Sequence, residues 1–242
     1  MRGILLLLAC LSVGTGSAAD TSAWLDALHE GDLARIQRLV SEATDLELTD
    51  ESGRTALMLA AGKGDRGLLS DLIEAGADIN HQNSRGGTAL MYATLRNQDR
   101  AVGQLLAAGA DPNAAGSNGW SALMIAAAKG YREIAAMLLS HGASVDQRDV
   151  YAWTPLMRAV YEGRTETVEL LLTKADPDLS ARDENGATAL HHAAANNRLE
   201  IADLLLDHGA ENAIRDDNGR TPRAVAMSAG HDRMVQRLRQ RR

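Results

Sequence analysis

The chain has 242 residues, 45% of them hydrophobic, with three Trp, four Tyr and no Phe. Its formal net charge is −7, from 25 basic and 32 acidic residues; this argues against general nucleic-acid binding, which needs a concentrated positive field. A core short of aromatic bulk and rich in Ala, Leu, Ile and Met suits thin, closely packed helices, not one large globular core.

The N-terminus reads as a leader. Met1-Arg2-Gly3 is a short positive start, Ile4 to Val13 is mostly apolar, and Ser17-Ala18-Ala19 places small residues before Asp20. This layout predicts a secretory signal peptide over residues 1–19; the apolar run is too short for a permanent bilayer span. Cys10, the single cysteine, lies inside this segment, so the mature chain is expected to have no thiol chemistry and no disulfide. The alternative is a lipid anchor: Leu7-Leu8-Ala9-Cys10 resembles a bacterial lipobox, although only six apolar residues precede the cysteine. An exported chain without cysteine is indifferent to an oxidising compartment, and the periplasm is the expected location.

Beyond the leader, Gly or Asn recurs at Gly31, Gly64, Asn97, Gly130, Gly163, Asn197 and Gly230, a spacing of 33 residues with one step of 34. Such a period means stacked supersecondary units. Gly and Asn take φ > 0 most readily, which a helix needs where it stops and the chain reverses. Nine residues before six of these markers stand Thr55, Thr88, Ser121, Thr154, Thr188 and Thr221, each followed by Ala or Pro. A hydroxyl cap followed by such a residue predicts a first helix. Small pairs inside it, among them Ala60-Ala61, Ala126-Ala127 and Ala193-Ala194, let neighbouring helices approach closely. A second helix follows each marker, with Leu72-Ile73, Leu105-Leu106, Leu138-Leu139, Leu171-Leu172 and Leu205-Leu206 on one side. Gly76, Gly109, Gly142 and Gly209 end it, and His141 and His208 are placed to cap it just before two of these glycines. A polar tract with a second Gly, as in Asn118-Gly119, Asn185-Gly186 and Asn218-Gly219, predicts a tight projecting turn.

Thr-Pro-Leu-Met/His, the Ala-Ala pair, the mid-unit Gly, Leu-Leu, Gly-Ala-Asp-x-Asn and the Asp-x-x-Gly turn together resemble the ankyrin repeat, over roughly residues 22–242. The resemblance implies an all-α repeat solenoid of about seven helix–turn–helix units with projecting β-turns and degenerate terminal caps. The units run approximately over residues 20–49, 50–82, 83–115, 116–148, 149–182, 183–215 and 216–242. The first lacks the Thr-Pro-Leu start, and the last carries Arg223 and Arg239 in place of Leu, as suits ends that face water. In unit five, Thr173-Lys174-Ala175-Asp176-Pro177-Asp178 replaces Gly-Ala-Asp with one extra residue, and Ala152 replaces the turn Gly. A distorted turn between units five and six is expected.

No convincing catalytic set, cofactor motif or metal site emerges, and the chain is read as not an enzyme. His191 and His192 are adjacent on a helix and do not face each other; ankyrin repeats commonly carry a structural His at the position of His191. Met58, Met91, Met124 and Met157 hold that same position in consecutive units. Stacked helices about 8–10 Å apart keep such sulfurs from sharing an ion, so the ladder reads as packing. The alternative function is a small hydrolytic or ligand site in the irregular turn at Asp176–Asp178.

By resemblance to ankyrin domains, a partner meets the projecting turns and the first helices on the concave face. Those positions include Arg54, Lys63, Arg85, Arg96, Trp120, Lys129, Val150, Tyr151, Trp153, Tyr161, Glu162, Glu184 and Asn185. Four of the few aromatics (Trp120, Tyr151, Trp153 and Tyr161) fall in units four and five. Exposed Trp and Tyr dominate interface hot spots. The expected site is therefore Arg85, Arg96, Trp120, Lys129, Tyr151, Trp153, Tyr161 and Glu162, taking a protein partner on a chain that is monomeric alone. The competing reading has Trp120 and Trp153 packed on each other as structural cover.

Overall fold

The computed structural model describes residues 18–42 and 45–240. The predicted leader up to Ser17, with Cys10, lies outside the described residues. Fourteen helices form seven consecutive pairs among the described residues: α1 (Ala18–Glu30) with α2 (Leu33–Leu39), α3 (Ala56–Lys63) with α4 (Arg66–Glu74), α5 (Ala89–Leu95) with α6 (Asp99–Ala107), α7 (Ala122–Lys129) with α8 (Arg132–Ser140), α9 (Pro155–Glu162) with α10 (Thr165–Lys174), α11 (Ala189–Ala195) with α12 (Leu199–Asp207), and α13 (Pro222–Ser228) with α14 (Asp232–Gln240). The odd-numbered helices from α3 to α13 stack on one another in chain order, and the even-numbered helices form a second layer. None of the described helices is long and apolar enough to cross a membrane.

Each helix begins and ends where its residues dictate. The hydroxyls of Thr55, Thr88, Ser121 and Thr154 accept the N–H of the residue three further on, at 3.3–3.4 Å. This satisfies one of the free donors that every helix start leaves. The repeat markers all adopt left-handed φ, from 53° at Asn197 to 77° at Gly130, so the period read in the sequence is a period of backbone geometry. The Ala pairs are buried between the odd helices, and Leu72, Leu105, Leu138, Leu171 and Leu205 are buried between the layers. His141 and His208 cap as expected, with Nδ1 2.9 and 2.8 Å from the carbonyls of Met137 and Leu204.

Three sets of hydrogen bonds tie unit to unit. The turns join edge to edge: Ser117 N–H donates to Arg85 O (2.8 Å), Val150 to Asn118 (3.1 Å), Glu184 to Tyr151 (3.1 Å) and Asp217 to Asn185 (3.0 Å). The polar tracts interlock, the Asn80 side chain accepting from Asp111 N, Asn113 from Ser144 N and Asp146 from Asp178 N, at 2.7–3.0 Å. Finally, a side chain from each of three units reaches back to the C-terminal end of the preceding odd helix. Arg164 Nε donates to Ala128 O (3.0 Å), Arg198 Nη2 to Tyr161 O (3.3 Å), and His231 Nε2 lies 3.0 Å from Ala195 O. A cation there also suits the negative end of the helix dipole. The crossing of Arg164 needs bare backbone at Gly130, where a Cβ would stand 2.9 Å from the Arg164 Cδ.

Unit five corrects one expectation. The extra residue is absorbed in α10, which has ten residues where α8 and α12 have nine. Asp176 takes the place of the terminating Gly with φ 46°, and Pro177, without an N–H, forgoes the capping bond that Ala143 makes to Leu138. The turn beyond is not distorted: Asp178 still bonds to Asp146, as Ser144 does to Asn113. Ala152 likewise keeps the turn by adopting φ 59°, the left-handed region that a Cβ makes costly.

Candidate functional site

Five of the turns are organised by Asp50, Asn83, Asp149, Asp183 or Asp216; in unit four Gly116 stands at that position and Asn118 Oδ1 accepts the Trp120 N–H alone (3.1 Å). Asp149 Oδ1 accepts the N–H groups of Tyr151 (2.9 Å) and Trp153 (3.0 Å), and Asn83, Asp183 and Asp216 do the same for their own turns. In three of these turns the second oxygen or amide then reaches a side chain on the following odd helix, nine residues on, whereas the second oxygens of Asp50 and Asp216 take Arg54 and Arg220, four residues on. Asn83 Nδ2 donates to Tyr92 OH at 3.0 Å, Arg158 pairs with Asp149, and His192 Nε2 lies 2.9 Å from Asp183 Oδ2. Tyr92, Arg158 and His192 thus stand at one repeat position, on the face formed by the odd helices and the turns.

Arg158 is the centre of that face. Its guanidinium lies 4.6 Å from the Trp120 ring centroid and 4.5 Å from that of Trp153. Trp153 in turn packs against His192 at 4.2 Å and edge-on against Tyr161 at 5.3 Å. Trp120, Arg158, Trp153, His192 and Tyr161 therefore form one continuous stack running from unit four to unit six. The Asp149 carboxylate beneath it is fully buried and the Arg158 side chain only 18% exposed, so this is a cation–π arrangement with little solvent screening.

Two expectations change here. Trp120 and Trp153 are half-buried, not exposed, because Arg158 holds them from within; they do not pack directly on each other as structural cover either. Arg54 is engaged in its own turn, paired with Asp50 at 2.6 Å. Tyr161 (45% exposed), Tyr151 (52%) and Val150 (59%) do face solvent, the last two at the tip of the unit-five turn. Arg85, Arg96, Lys129, Glu162, Glu184 and Asn185 are exposed as well. Arg158 and His192 were not among the expected contact residues, although their spacing of nine from a turn Asp was readable in the sequence.

The residues read as structural behave so. Met58, Met91, Met124 and Met157 are buried. His191 is buried too, its Nδ1 receiving the Thr188 N–H (3.1 Å) and facing the Thr188 hydroxyl (2.9 Å), its Nε2 donating to Arg220 O (3.0 Å) across to unit seven. His191 and His192 thus bind different partners, and the described residues contain no group of three or more His, Cys, Asp or Glu able to hold a metal. Asp178 accepts from the N–H and hydroxyl of Ser180, the local turn role that Asp78 and Asp111 play with Asn80 and Asn113. An open depression of about 650 Å³ at the C-terminal end is lined by Leu206, Ala210, Thr221, Arg223 and Leu238 among others, and shares no residue with the aromatic stack.

Burial lowers the pKa of both His191 and His192 below the ordinary 6.5, against the pull of Asp216 and Asp183 nearby. Each is therefore stabilising as the neutral ring. That contribution is complete above the unfolded value of 6.5 and is lost as pH falls towards the lower folded value. Thermal midpoints are expected to be flat above pH 7 and to drop as pH falls below 6.5. His191→Met, the residue used at this position in units two to five, should shrink that drop; a midpoint independent of pH in that range would refute the assignment.

The architecture and the face together define a helical repeat solenoid of the kind that presents a ridged recognition surface. The family model described as ankyrin repeats (3 copies) matches residues 24–116, 96–183 and 174–241, and the chain belongs to the ankyrin repeat family. Among solved structures it is similar to the ankyrin repeat domain of Bcl-3, a member of the IkappaB protein family (27% identity, TM-score 0.79, covering 90% of this chain and 97% of that one). It is also similar to EF0377, an ankyrin repeat protein (28% identity, TM-score 0.73, covering 80% and 100%). Curated relatives match over shorter stretches: the potassium channel AKT1 of Oryza sativa at 46% identity over 55 residues, the palmitoyltransferase akr1 of Schizosaccharomyces pombe at 56% over 41, and the human 2-5A-dependent ribonuclease at 46% over 48. These stretches cover 16–23% of this chain and 6% of each relative, the size of one or two repeat units. Ankyrin repeats are in general protein–protein interaction modules.

Proposed function

We propose that the chain is a non-catalytic scaffold of the cell envelope that binds a protein partner on the concave face of units three to five. The Trp120–Arg158–Trp153–His192–Tyr161 stack, flanked by exposed Tyr151 and Val150, carries this reading. Trp, Tyr and Arg are the residues that dominate binding energy when a partner covers them, and this chain, poor in aromatics, gathers them at one place. Tyr161 and Tyr151 are the side chains to remove, because both are exposed and neither organises a turn through its ring. The double variant Tyr151→Ala/Tyr161→Ala should retain its helicity and lose about thirtyfold in affinity for the native partner recovered by affinity capture from the envelope, the effect of about 2 kcal/mol at a hot spot. A Glu169→Ala/Glu200→Ala control on the outer helices should bind as the parent does. Unchanged affinity of the double variant would rule out this face.

We place the working protein in the periplasm, supported by the leader-like residues 1–19. N-terminal sequencing of the protein from fractionated cells should find Asp20 first in the periplasmic fraction; a retained Met1, or a lipid-modified Cys10, would contradict it.

A further inference from the structure

Lys63, Arg96 and Lys129 occupy one position of the repeat, at the end of α3, α5 and α7, and all three are exposed. Four arginines beside the turns are neutralised, Arg54 by Asp50, Arg158 by Asp149, Arg182 by Asp217 and Arg220 by Asp216, whereas Arg85, exposed on the unit-three turn, adds to the positive side of this face. These three cations have no such carboxylate partner and no side-chain hydrogen bond among the described residues. Complementing the helix dipole is the plain reason for a cation at a helix end. In unit four that task is already met by Arg164, which donates to Ala128 O at the end of α7, so Lys129 is surplus to it. The row then reverses sign. Glu162 holds the same position in α9, and Asn196 follows in unit six, with Glu184 exposed on the neighbouring turn. The one large apolar side chain exposed within the row is Leu95 (44%), and Tyr161 stands where the row stops.

We propose that the segment this face takes is an acidic peptide stretch of its protein partner, bound with carboxylates along Lys63, Arg96 and Lys129 and an apolar or aromatic residue bedded on Tyr161. This inference rests on the scaffold reading above and names the chemistry of what is bound. Packed helices lie about 8–10 Å apart, the span of one three-residue turn of polyproline II chain, which returns every third side chain to the same side, so the matching segment binds in that conformation and carries an acidic residue at every third position. On a chain of net charge −7 an acidic segment is not attracted in general, and the row offers it a local positive field. Glu162 and Glu184 set the direction: the charged part lies over units two to four and the uncharged part over unit five.

A random 12-residue display library selected on the full chain tests this. Enriched peptides should carry Asp or Glu recurring at every third position with an apolar or aromatic residue at one end. The best of them, synthesised and titrated, should lose about tenfold in affinity on Lys63→Glu/Arg96→Glu/Lys129→Glu and weaken as salt is raised. Neutral or basic enriched peptides, no enrichment, or equal binding by the triple variant would overturn the proposal. So would binding of polyuridylic acid or phosphatidylglycerol vesicles that the triple variant loses while no acidic peptide is enriched. Peptides that are sensitive to Tyr151→Ala/Tyr161→Ala but indifferent to the triple variant would leave the scaffold standing and remove the acidic partner; indifference to both sets would remove both.

Discussion

Asp149→Ala should cost about 3–5 kcal/mol in urea unfolding, the range for leaving a buried charge without its partner. The carboxylate holds three groups at once: the N–H of Tyr151, the N–H of Trp153 and the guanidinium of Arg158. Its removal strands two backbone donors and a cation whose side chain is only 18% exposed, each an uncompensated desolvation. The two Trp rings that clasp Arg158 should loosen together, and the near-ultraviolet circular dichroism should weaken. Unit three shows how the loss can be repaired. There Asn83 caps the turn and donates to Tyr92 OH with no charge involved. Asp149→Asn/Arg158→Tyr transplants that pair and should regain most of the stability lost by Asp149→Ala. A cost below about 1 kcal/mol for Asp149→Ala would mean that solvent already screens the pair and that the stack stands without it.

Leu138→Ala should cost about 2–5 kcal/mol, as a large-to-small change at a fully buried site does. Its position adds a second effect. Leu138 lies on α8 in the middle of the array, and in a solenoid stability is a sum of unit terms and nearest-neighbour terms. Weakening the middle unit weakens its coupling to both sides, so unfolding should broaden or split into two transitions. Leu238→Ala, equally buried but on the terminal α14, should fray the last unit and leave the main transition sharp. Native-state hydrogen exchange resolved along the chain separates the two outcomes. A single sharp transition for Leu138→Ala would contradict the one-dimensional picture.

Much of the fold was legible because the features that repeat are backbone requirements. A positive φ at Asn97 and Asn197, a Ser or Thr hydroxyl at the start of each odd helix from α3 to α13 and a small pair between stacked helices leave marks at a fixed period. The unit-five turn was harder, because the sequence shows an insertion but not which element absorbs it; α10 lengthened, and Asp176 accepted a left-handed φ that the pattern reserves for Gly. The site was legible in part. The clustering of Trp120, Tyr151, Trp153 and Tyr161 was visible, but the side chain between the two Trp rings was not. Arg158 reads as an ordinary charged residue on a helix until the Asp149 turn is folded beneath it. His192 was hidden by its neighbour His191, which draws attention as a pair although the two rings serve different contacts.

A photo-crosslinking residue placed singly at Tyr151, at Tyr161 and, as outer-layer controls, at Glu169 and Glu200 tests the partner face most directly, in cells where the native partner is present. The account predicts one discrete protein adduct from Tyr151 and Tyr161 and none from the controls. Adducts of equal yield from both layers, or from the outer helices alone, would contradict it.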